Sequence, residues 1–341
     1  MRGYLKAFLT CCLFPVLLWG GTAHADIYRC ASEHGGMVFQ DRPCSSASSD
    51  VPKANASLAE TAPATVSHDV SPGSTFLWQA QVGEGRLYLL GSIHFGVPEM
   101  YPLPAVITSA FEAADTLVVE ANILDVNPAE LAQLVAAKAI YHDGSTLRQQ
   151  LSENTWQRLS DVASDLGMSV EMLDAQKPWF VSMTLTALVL NRLGYSESLG
   201  IDQHFLNQAQ GSKKIVELEG MAWQLSLFDR LTASEQVLML EETLREIDTG
   251  KSFFDRMLKA WKEGDTVAVQ ALFDEGLLSE PAAKRLNKLL ITDRNYAMTG
   301  RLEALAADGG TLFVVVGAGH FTGNEGIIAL LRRKGYQVSQ L

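Results

Sequence analysis

Short apolar runs recur along this chain, and two of them end in the same way. Residues 86–90 and 311–316 are rich in leucine, β-branched and aromatic residues and are too short for helices, so both are predicted to be core strands. Each run stops at a glycine, and a histidine follows three residues later. The two pairs are Gly91 with His94 and Gly317 with His320. Because the carboxyl ends of parallel strands meet at one edge of an open sheet, the pairs predict two imidazoles over the same edge.

The same kind of pattern predicts further strands. Residues 76–80 and 86–90 flank a Gly-Glu-Gly turn and predict a hairpin. Residues 116–119 follow a predicted helix, and this β–α–β unit should contain parallel strands. Two more strands are predicted at residues 214–218 and 336–340.

Residues 145–300 carry apolar residues mainly at helical spacing, and further helices lie on either side. Helices are predicted at residues 105–114, 128–139, 153–166, 178–193, 201–209, 234–247, 253–261, 281–290 and 324–334. The pattern therefore predicts an α/β fold, with a mostly parallel central sheet flanked by helices and a large helical cap or insertion beside it.

Carboxylates stand at two more predicted strand ends. Glu120 directly follows residues 116–119, and Glu219 follows residues 214–218. Two imidazoles and a carboxylate at one edge would suit either a metal centre or acid–base chemistry. A lone histidine after a strand would instead indicate a loop residue that caps local backbone.

Two further pairs of residues provide candidates for the same site. Asp202 and His204 lie two positions apart, so on a helix they diverge by about 200° and both cannot face one site; Asp202, near the helix start, is favoured. Arg294 and Asn295 lie in a stretch of helical pattern, where the arginine could clamp a carboxylate or an oxyanion or could hold the cap in place through an ion pair.

The first 25 residues have the pattern of a targeting signal. Arg2 and Lys6 precede an apolar stretch at residues 7–19, and an Ala-x-Ala cleavage site ends at Ala25. Proline interrupts the stretch, which disfavours a retained membrane anchor. Residues 1–25 are therefore predicted to be a signal peptide, and the rest of the chain to be periplasmic or secreted with no transmembrane segment.

Cysteine usage and composition divide the rest of the chain. Cys30 and Cys44 bracket a short predicted hairpin, and in an exported protein such a pair predicts a structural disulfide that closes a small domain at residues 26–44. Residues 45–73 are rich in Ser, Ala, Pro and Thr and predict a flexible linker before a domain at residues 74–341.

The charge balance narrows the class of partner. The formal net charge of −12 becomes −14 when Arg2 and Lys6 leave with the signal peptide. Such an acidic chain is disfavoured as a partner of nucleic acid or of an anionic membrane surface. The charge balance indicates nothing more specific about the substrate, and the oligomeric state is left open.

The paired Gly-x-x-His segments and Glu120 resemble the motifs of the TraB/GumN family, which is similar to the Tiki metalloproteases. Four further segments resemble the family in the right order, so that the resemblance spans about residues 75–341. They are residues 200–206 (Gly-Ile-Asp-Gln-His-Phe-Leu), 214–228, 293–298 and 317–338. Residues 26–43 also resemble a small exported bacterial domain of unknown function.

The resemblance implies a metal-dependent hydrolase of the peptidase class, acting on a peptide or small-molecule substrate. His94, Glu120 and His320 would bind a divalent ion such as Mn, Co or Zn, and Asp202 or Glu219 would complete or support the ligand set. The ion would lower the pKa of a bound water and polarise the scissile carbonyl. His94, Glu120, His320, Arg294 and Asn295 are the residues expected to act in catalysis.

Two alternatives stay open at this point. The chain also resembles erythromycin-esterase-like proteins, in which a histidine is thought to activate water without a metal. It could also be a non-catalytic module that sequesters a peptide or another ligand.

Overall fold

The computed structural model describes residues 28–31, 37–40, 75–274 and 281–341, and its larger folded unit is built on one six-stranded sheet. The strands, in chain order, are β1 Tyr28–Ala31, β2 Met37–Gln40, β3 Leu77–Val82, β4 Gly85–Ser92, β5 Thr116–Val119, β6 Lys214–Glu217, β7 Thr311–Gly317 and β8 Val338–Gln340. Strands β3 to β8 form the sheet in the order β6-β5-β7-β4-β3-β8.

The four strands that carry the predicted site segments are mutually parallel. Strand β7 lies between β4 and β5, and β6 pairs with the outer side of β5; all three of these pairings are parallel. The predicted hairpin of β3 and β4 is confirmed, and β8 pairs antiparallel with β3 at the far edge. The fold is therefore mixed α/β. The strands β3 and β8 lie at one edge of the sheet, and the four parallel strands that precede the predicted site residues make up the rest of it.

Helices surround this sheet. They are α1 Ala105–Glu112, α2 Pro128–Ala139, α3 Leu147–Gln150, α4 Glu153–Asp165, α5 Pro178–Arg192, α6 Ile201–Ala209, α7 Met221–Phe228, α8 Ala233–Glu246, α9 Gly250–Lys262, α10 Thr266–Asp274, α11 Pro281–Asn287, α12 Asp293–Ala307 and α13 Ile327–Arg333. A π-helical turn, Lys288–Thr292, joins α11 to α12.

Local signals explain several of these boundaries. Asn127 begins α2 as predicted, because its side-chain oxygen accepts the amide of Ala129 and proline occupies the first turn. Other predicted bounds are wrong: the last helix begins three residues later than residue 324, and α3, α7 and α10 were not predicted. These are helices of four to nine residues, whose apolar positions are too few to establish a period.

The helical section has a core of its own. A main cluster of buried side chains lies on both faces of the sheet and includes Leu87, Leu117 and Phe313. A second cluster joins α3, α4, α5 and α8 through residues such as Leu159 and Leu240. The second core supports the prediction of a helical section beside the sheet, since those helices bury apolar surface against one another as well as against the strands.

At the N-terminus, β1 and β2 pair antiparallel, as the predicted hairpin requires. The signal peptide, the linker and Cys44 lie outside the described residues, so the disulfide with Cys30 stays a prediction. Within the part of the chain that the structure describes, none of the helices combines the length and the apolar character that crossing a bilayer requires.

Candidate active site

The carboxyl ends of the parallel strands bring together most of the predicted site residues. Glu120 directly follows β5, Glu219 follows β6 by two residues, and Gly317 ends β7. The backbone fixes their proximity, because the amides of Glu219 and Gly220 both donate to the carbonyl oxygen of Glu120, at 2.9 and 3.0 Å. The amide of Gly317 donates to Glu120 Oε1 at 2.8 Å. This is the sheet edge at which α/β proteins commonly bind ligands.

A buried arginine joins the two glutamates. Arg294, in the first turn of α12, donates from Nη2 to Glu120 Oε2 and from Nε and Nη2 to Glu219, with the Glu219 contacts at 2.9 and 2.8 Å. The Arg294 side chain is only 2% exposed. Gln224, on α7, donates from Nε2 to both carboxylates at 3.0 and 2.6 Å. Arg294 therefore binds carboxylates and fastens α12 to two strand ends.

The charges in this cluster do not balance by themselves. Two carboxyl groups share one guanidinium, and burial raises the pKa of Glu120 although Arg294 opposes that effect; the charge of Glu219 raises it further. Glu120 therefore takes up a proton at a higher pH than an ordinary glutamate does. The site favours an additional proton or cation.

His320 lies fully buried beside this cluster, in the short turn after β7. Its Nδ1 lies 2.6 Å from Asn295 Oδ1, and Asn295 uses its amide group to donate to the carbonyl oxygen of Glu325 at 2.8 Å. The asparagine oxygen is therefore an acceptor, which places the imidazole proton on Nδ1 and a lone pair on Nε2. Burial, with the nearby charges of Arg294 and His94, holds the pKa of His320 well below its usual value.

The Nε2 atom of His320 has no hydrogen-bond partner among the described residues. It lies 4.0 Å from Glu120 Oε1, which is also an acceptor. Two acceptors at this separation can both accept hydrogen bonds from one polar group placed between them. A water molecule, an N–H or O–H group of a substrate, or a cation would each meet that need.

His94 forms a second pair with Asp202 at the open side of the site. Its Nδ1 lies 2.7 Å from Asp202 Oδ2, and Ser92 donates to the other oxygen, also at 2.7 Å. The His94 side chain is 15% exposed. Burial acts to raise the pKa of Asp202, but the contacts with His94 and Ser92 outweigh it and lower the pKa, so the carboxylate stays ionised.

Close backbone packing sets the position of the His94 loop. A Cβ atom at Gly91 would lie 2.3 Å from the ring of Phe76, so glycine is required at the end of β4. Trp261 of α9 donates its indole N–H to the carbonyl oxygen of Gly91. The helical section thus holds the strand end from which His94 projects.

His204 lies outside this pair, as the helical spacing predicted. Its ring packs on Tyr101 at 4.9 Å between centroids, and its Nε2 lies 2.7 Å from the side-chain nitrogen of Gln208. Burial lowers the pKa of His204. His204 therefore packs against Tyr101 away from His94, whereas Asp202, on the same helix α6, contacts His94.

Sequence reasoning assigned no role to three residues of the site. Ser92 and Gln224 both fall in segments that carried the family resemblance, and that membership was the available signal; their contacts with Asp202 and Glu120 come from the fold. Glu197 gave no signal in the sequence. Its carboxyl group interacts electrostatically with His94.

The donor set fits a preformed metal centre poorly. Among the described residues no three His, Cys, Asp or Glu side chains form a group that could hold a metal ion. The carboxylates of Glu120, Glu219 and Asp202 already accept hydrogen bonds from Arg294, Gln224, Ser92 and backbone, and the guanidinium supplies positive charge at the two glutamates. A metal would have to displace some of these contacts.

Comparison with known proteins agrees with the motifs. Residues 76–340 match the TraB/PrgY/gumN family, which is most of the chain. The chain belongs to the TraB/PrgY/gumN family. The match begins one residue before β3 and ends in β8, so the sheet, the helical section and every site residue lie within it.

The similar curated proteins carry no assigned activity in their names. One is the uncharacterized protein YbaP of Escherichia coli K12, which is 28% identical over 269 residues, covering 76% of this chain and 94% of that protein. A second, from Treponema pallidum strain Nichols, is 22% identical over 283 residues, covering 80% and 83%. No solved structure matches the chain.

Proposed function

We propose that this protein is a hydrolase in which a water molecule attacks a carbonyl carbon at the site between β4, β5 and β7. The observation that carries the proposal is the His94–Asp202 pair, with 2.7 Å between Nδ1 and Oδ2. An ionised carboxylate on Nδ1 fixes the tautomer of the imidazole and stabilises its protonated form. Any proton that His94 takes from water would therefore arrive at Nε2.

The two histidines are suited to different tasks. His94 is partly exposed and paired with an ionised carboxylate, which makes it the better general base. His320 is buried, and its lowered pKa keeps it neutral, so its Nε2 would accept a hydrogen bond from the water or from the substrate. The Glu120–Arg294–Glu219 cluster joins the ends of β5 and β6, and the Gly317 amide joins β7 to Glu120.

Peptide bonds are the proposed substrate class, because the family resemblance extends to proteases. We also propose that the protein acts after export, since residues 1–25 have the composition of a signal peptide. Neither the substrate class nor the compartment alters the role of the histidines.

A metal-assisted form of the same hydrolysis is the second candidate. One observation favours it: the Nε2 atom of His320, which no described residue hydrogen-bonds, lies near Glu120 in a cluster where two carboxyl groups share one guanidinium. His94, His320 and Glu120 would be its ligands. Such an ion would supply a more acidic water and a polarised carbonyl.

Peptide cleavage by purified protein tests the proposal. A casein digest is incubated with the wild type, His94→Ala, Asp202→Asn and the control His142→Ala, and new termini are identified by mass spectrometry. We expect the first two variants to lose about 10²-fold or more in rate, since general-base catalysis contributes on that order. His142, whose Nε2 lies 3.0 Å from the carbonyl oxygen of Ala136 in α2, should be replaceable without loss.

Two results would contradict the proposal. Cleavage that survives in His94→Ala would remove the base, and binding of peptides without cleavage by the wild type would favour the ligand-sequestering alternative. Metal analysis of the same preparations, before and after chelation, separates the two mechanisms: full activity in metal-free protein excludes the metal-assisted form.

A further inference from the structure

The loop that carries Glu197 is locked against the loop that carries His94. Gly96 and Ser196 exchange two backbone hydrogen bonds, at 2.9 and 2.8 Å, which form an isolated antiparallel bridge. Glu197 follows directly and opens a short 3-10 turn, Glu197–Leu199. Its backbone position is therefore set by the loop of the proposed general base.

Glycines make this approach unusually close. A Cβ atom at Gly96 would lie 1.9 Å from the carbonyl oxygen of Leu199, and one at Gly200 would lie 2.1 Å from the carbonyl oxygen of His94. Neither position tolerates a side chain, because the obstructing atoms are backbone. Tyr101 fixes the turn from the other side by donating its hydroxyl to the carbonyl oxygen of Leu199 at 2.9 Å.

The Glu197 carboxyl differs from the other acidic groups of the site. Glu120, Glu219 and Asp202 each accept hydrogen bonds, whereas none from a described residue reaches the Glu197 carboxyl. The Glu197 residue is partly buried. Burial raises the pKa of Glu197 to about 7, while the charge of His94 acts in the opposite direction. A carboxyl group with this pKa is protonated in a large fraction of molecules at neutral pH and can donate a proton.

We infer that Glu197 is the proton donor to the leaving group in the reaction proposed above. This inference rests on the proposed function. Water loses a proton to His94 as its oxygen bonds to the carbonyl carbon; the carbon–nitrogen bond then breaks, and Glu197 gives its proton to the departing amine. The proton on His94 passes to the Glu197 carboxylate, directly or through water, so the two groups return to their starting states and one water is consumed for each bond cleaved.

Titration of the carboxyl group itself provides a readout that does not depend on activity. In protein labelled with ¹³C at glutamate carboxyl groups, the signal absent from Glu197→Gln is followed against pH. We expect a midpoint near 7 in the wild type and a higher one in His94→Ala, because the opposing charge has been removed. A midpoint in the ordinary range of glutamate, or one unaffected by His94→Ala, would overturn the inference while leaving the proposed function intact.

Leaving-group dependence then tests the role in the reaction. A peptidyl p-nitroanilide and the p-nitrophenyl ester of the same peptide differ in their need for a proton, because p-nitrophenolate departs readily as an anion. We expect Glu197→Gln to slow the anilide by about 10²-fold and the ester by less than about 3-fold. Glu197→Asp should restore part of the anilide rate, and the control Glu99→Gln, which removes an exposed carboxylate nearby, should change neither.

The outcomes distinguish a failure of the donor role from a failure of the proposed function. Equal loss on both substrates would make Glu197 a structural residue, and no loss on either would remove it from the reaction; both results overturn the inference alone. If the wild type cleaves neither substrate and the casein digest is also untouched, the proposed function fails and the donor role fails with it.

Discussion

Replacing Arg294 by methionine should test whether the strand ends depend on one buried charge. The side chain is 2% exposed and binds two carboxylates that are themselves almost fully buried. Removing one member of such a buried ion pair typically lowers the free energy of unfolding by about 3–5 kcal/mol, because the remaining charge is left unpaired. Glu120 can limit the loss by taking up a proton, since its pKa is already raised. We therefore expect the loss in the free energy of unfolding to stay within this range.

The assay is urea unfolding followed by circular dichroism, with thermal unfolding alongside. For a domain of this size a loss of that magnitude corresponds to a fall in Tm of roughly 6–20 °C. The loss should shrink as the pH is lowered, because protonation removes the unpaired negative charge. Adding Glu219→Gln to Arg294→Met should restore part of the stability, since one of the two orphaned carboxylates is then neutral.

The matched control is Lys259→Met. Lys259 pairs with Glu263, but the two side chains are 71% and 53% exposed, so the free energy of unfolding should change by at most about 1 kcal/mol. An Arg294→Met protein as stable as the control, or one whose loss Glu219→Gln does not reduce, would refute the view that Arg294 stabilises the site by neutralising the two glutamates.

Two further predictions concern stability. Gly91→Ala should lower the free energy of unfolding by about 1–3 kcal/mol in urea titrations, because its Cβ would lie 2.3 Å from the Phe76 ring. The control is Gly250→Ala, because no atom lies within 4 Å of a Cβ at that position. Equal losses in the two variants would contradict the prediction. Below pH 6.5 the unfolded chain gains a proton at His320 that the folded protein resists, so this residue removes stability as the pH falls, by up to about 1.4 kcal/mol per unit. Because Glu197 acts in the opposite sense over part of this range, the wild type must be compared with His320→Gln, and parallel curves would contradict the prediction.

Much of the architecture could be predicted because it rests on local patterns. Strands β4, β5 and β7 are apolar runs of strand length, and the glycines near the ends of β4 and β7 mark where the chain leaves the sheet. The shared position of His94 and His320 after such runs was enough to place both at one edge. The order of strands was not predictable in the same way, since β7 inserts between β4 and β5 from more than 190 residues away.

Only the tertiary structure determines which role each site residue can take. The sequence shows that His94, Glu120, Asp202, Glu219 and Arg294 exist at suitable elements, but each could have been ligand, base or ion-pair partner. Contacts between helices and strands distant in the chain assign Asp202 to His94 and Arg294 to the two glutamates. Glu197 is the clearest case, because burial perturbs its pKa, and burial depends on packing that no local pattern encodes.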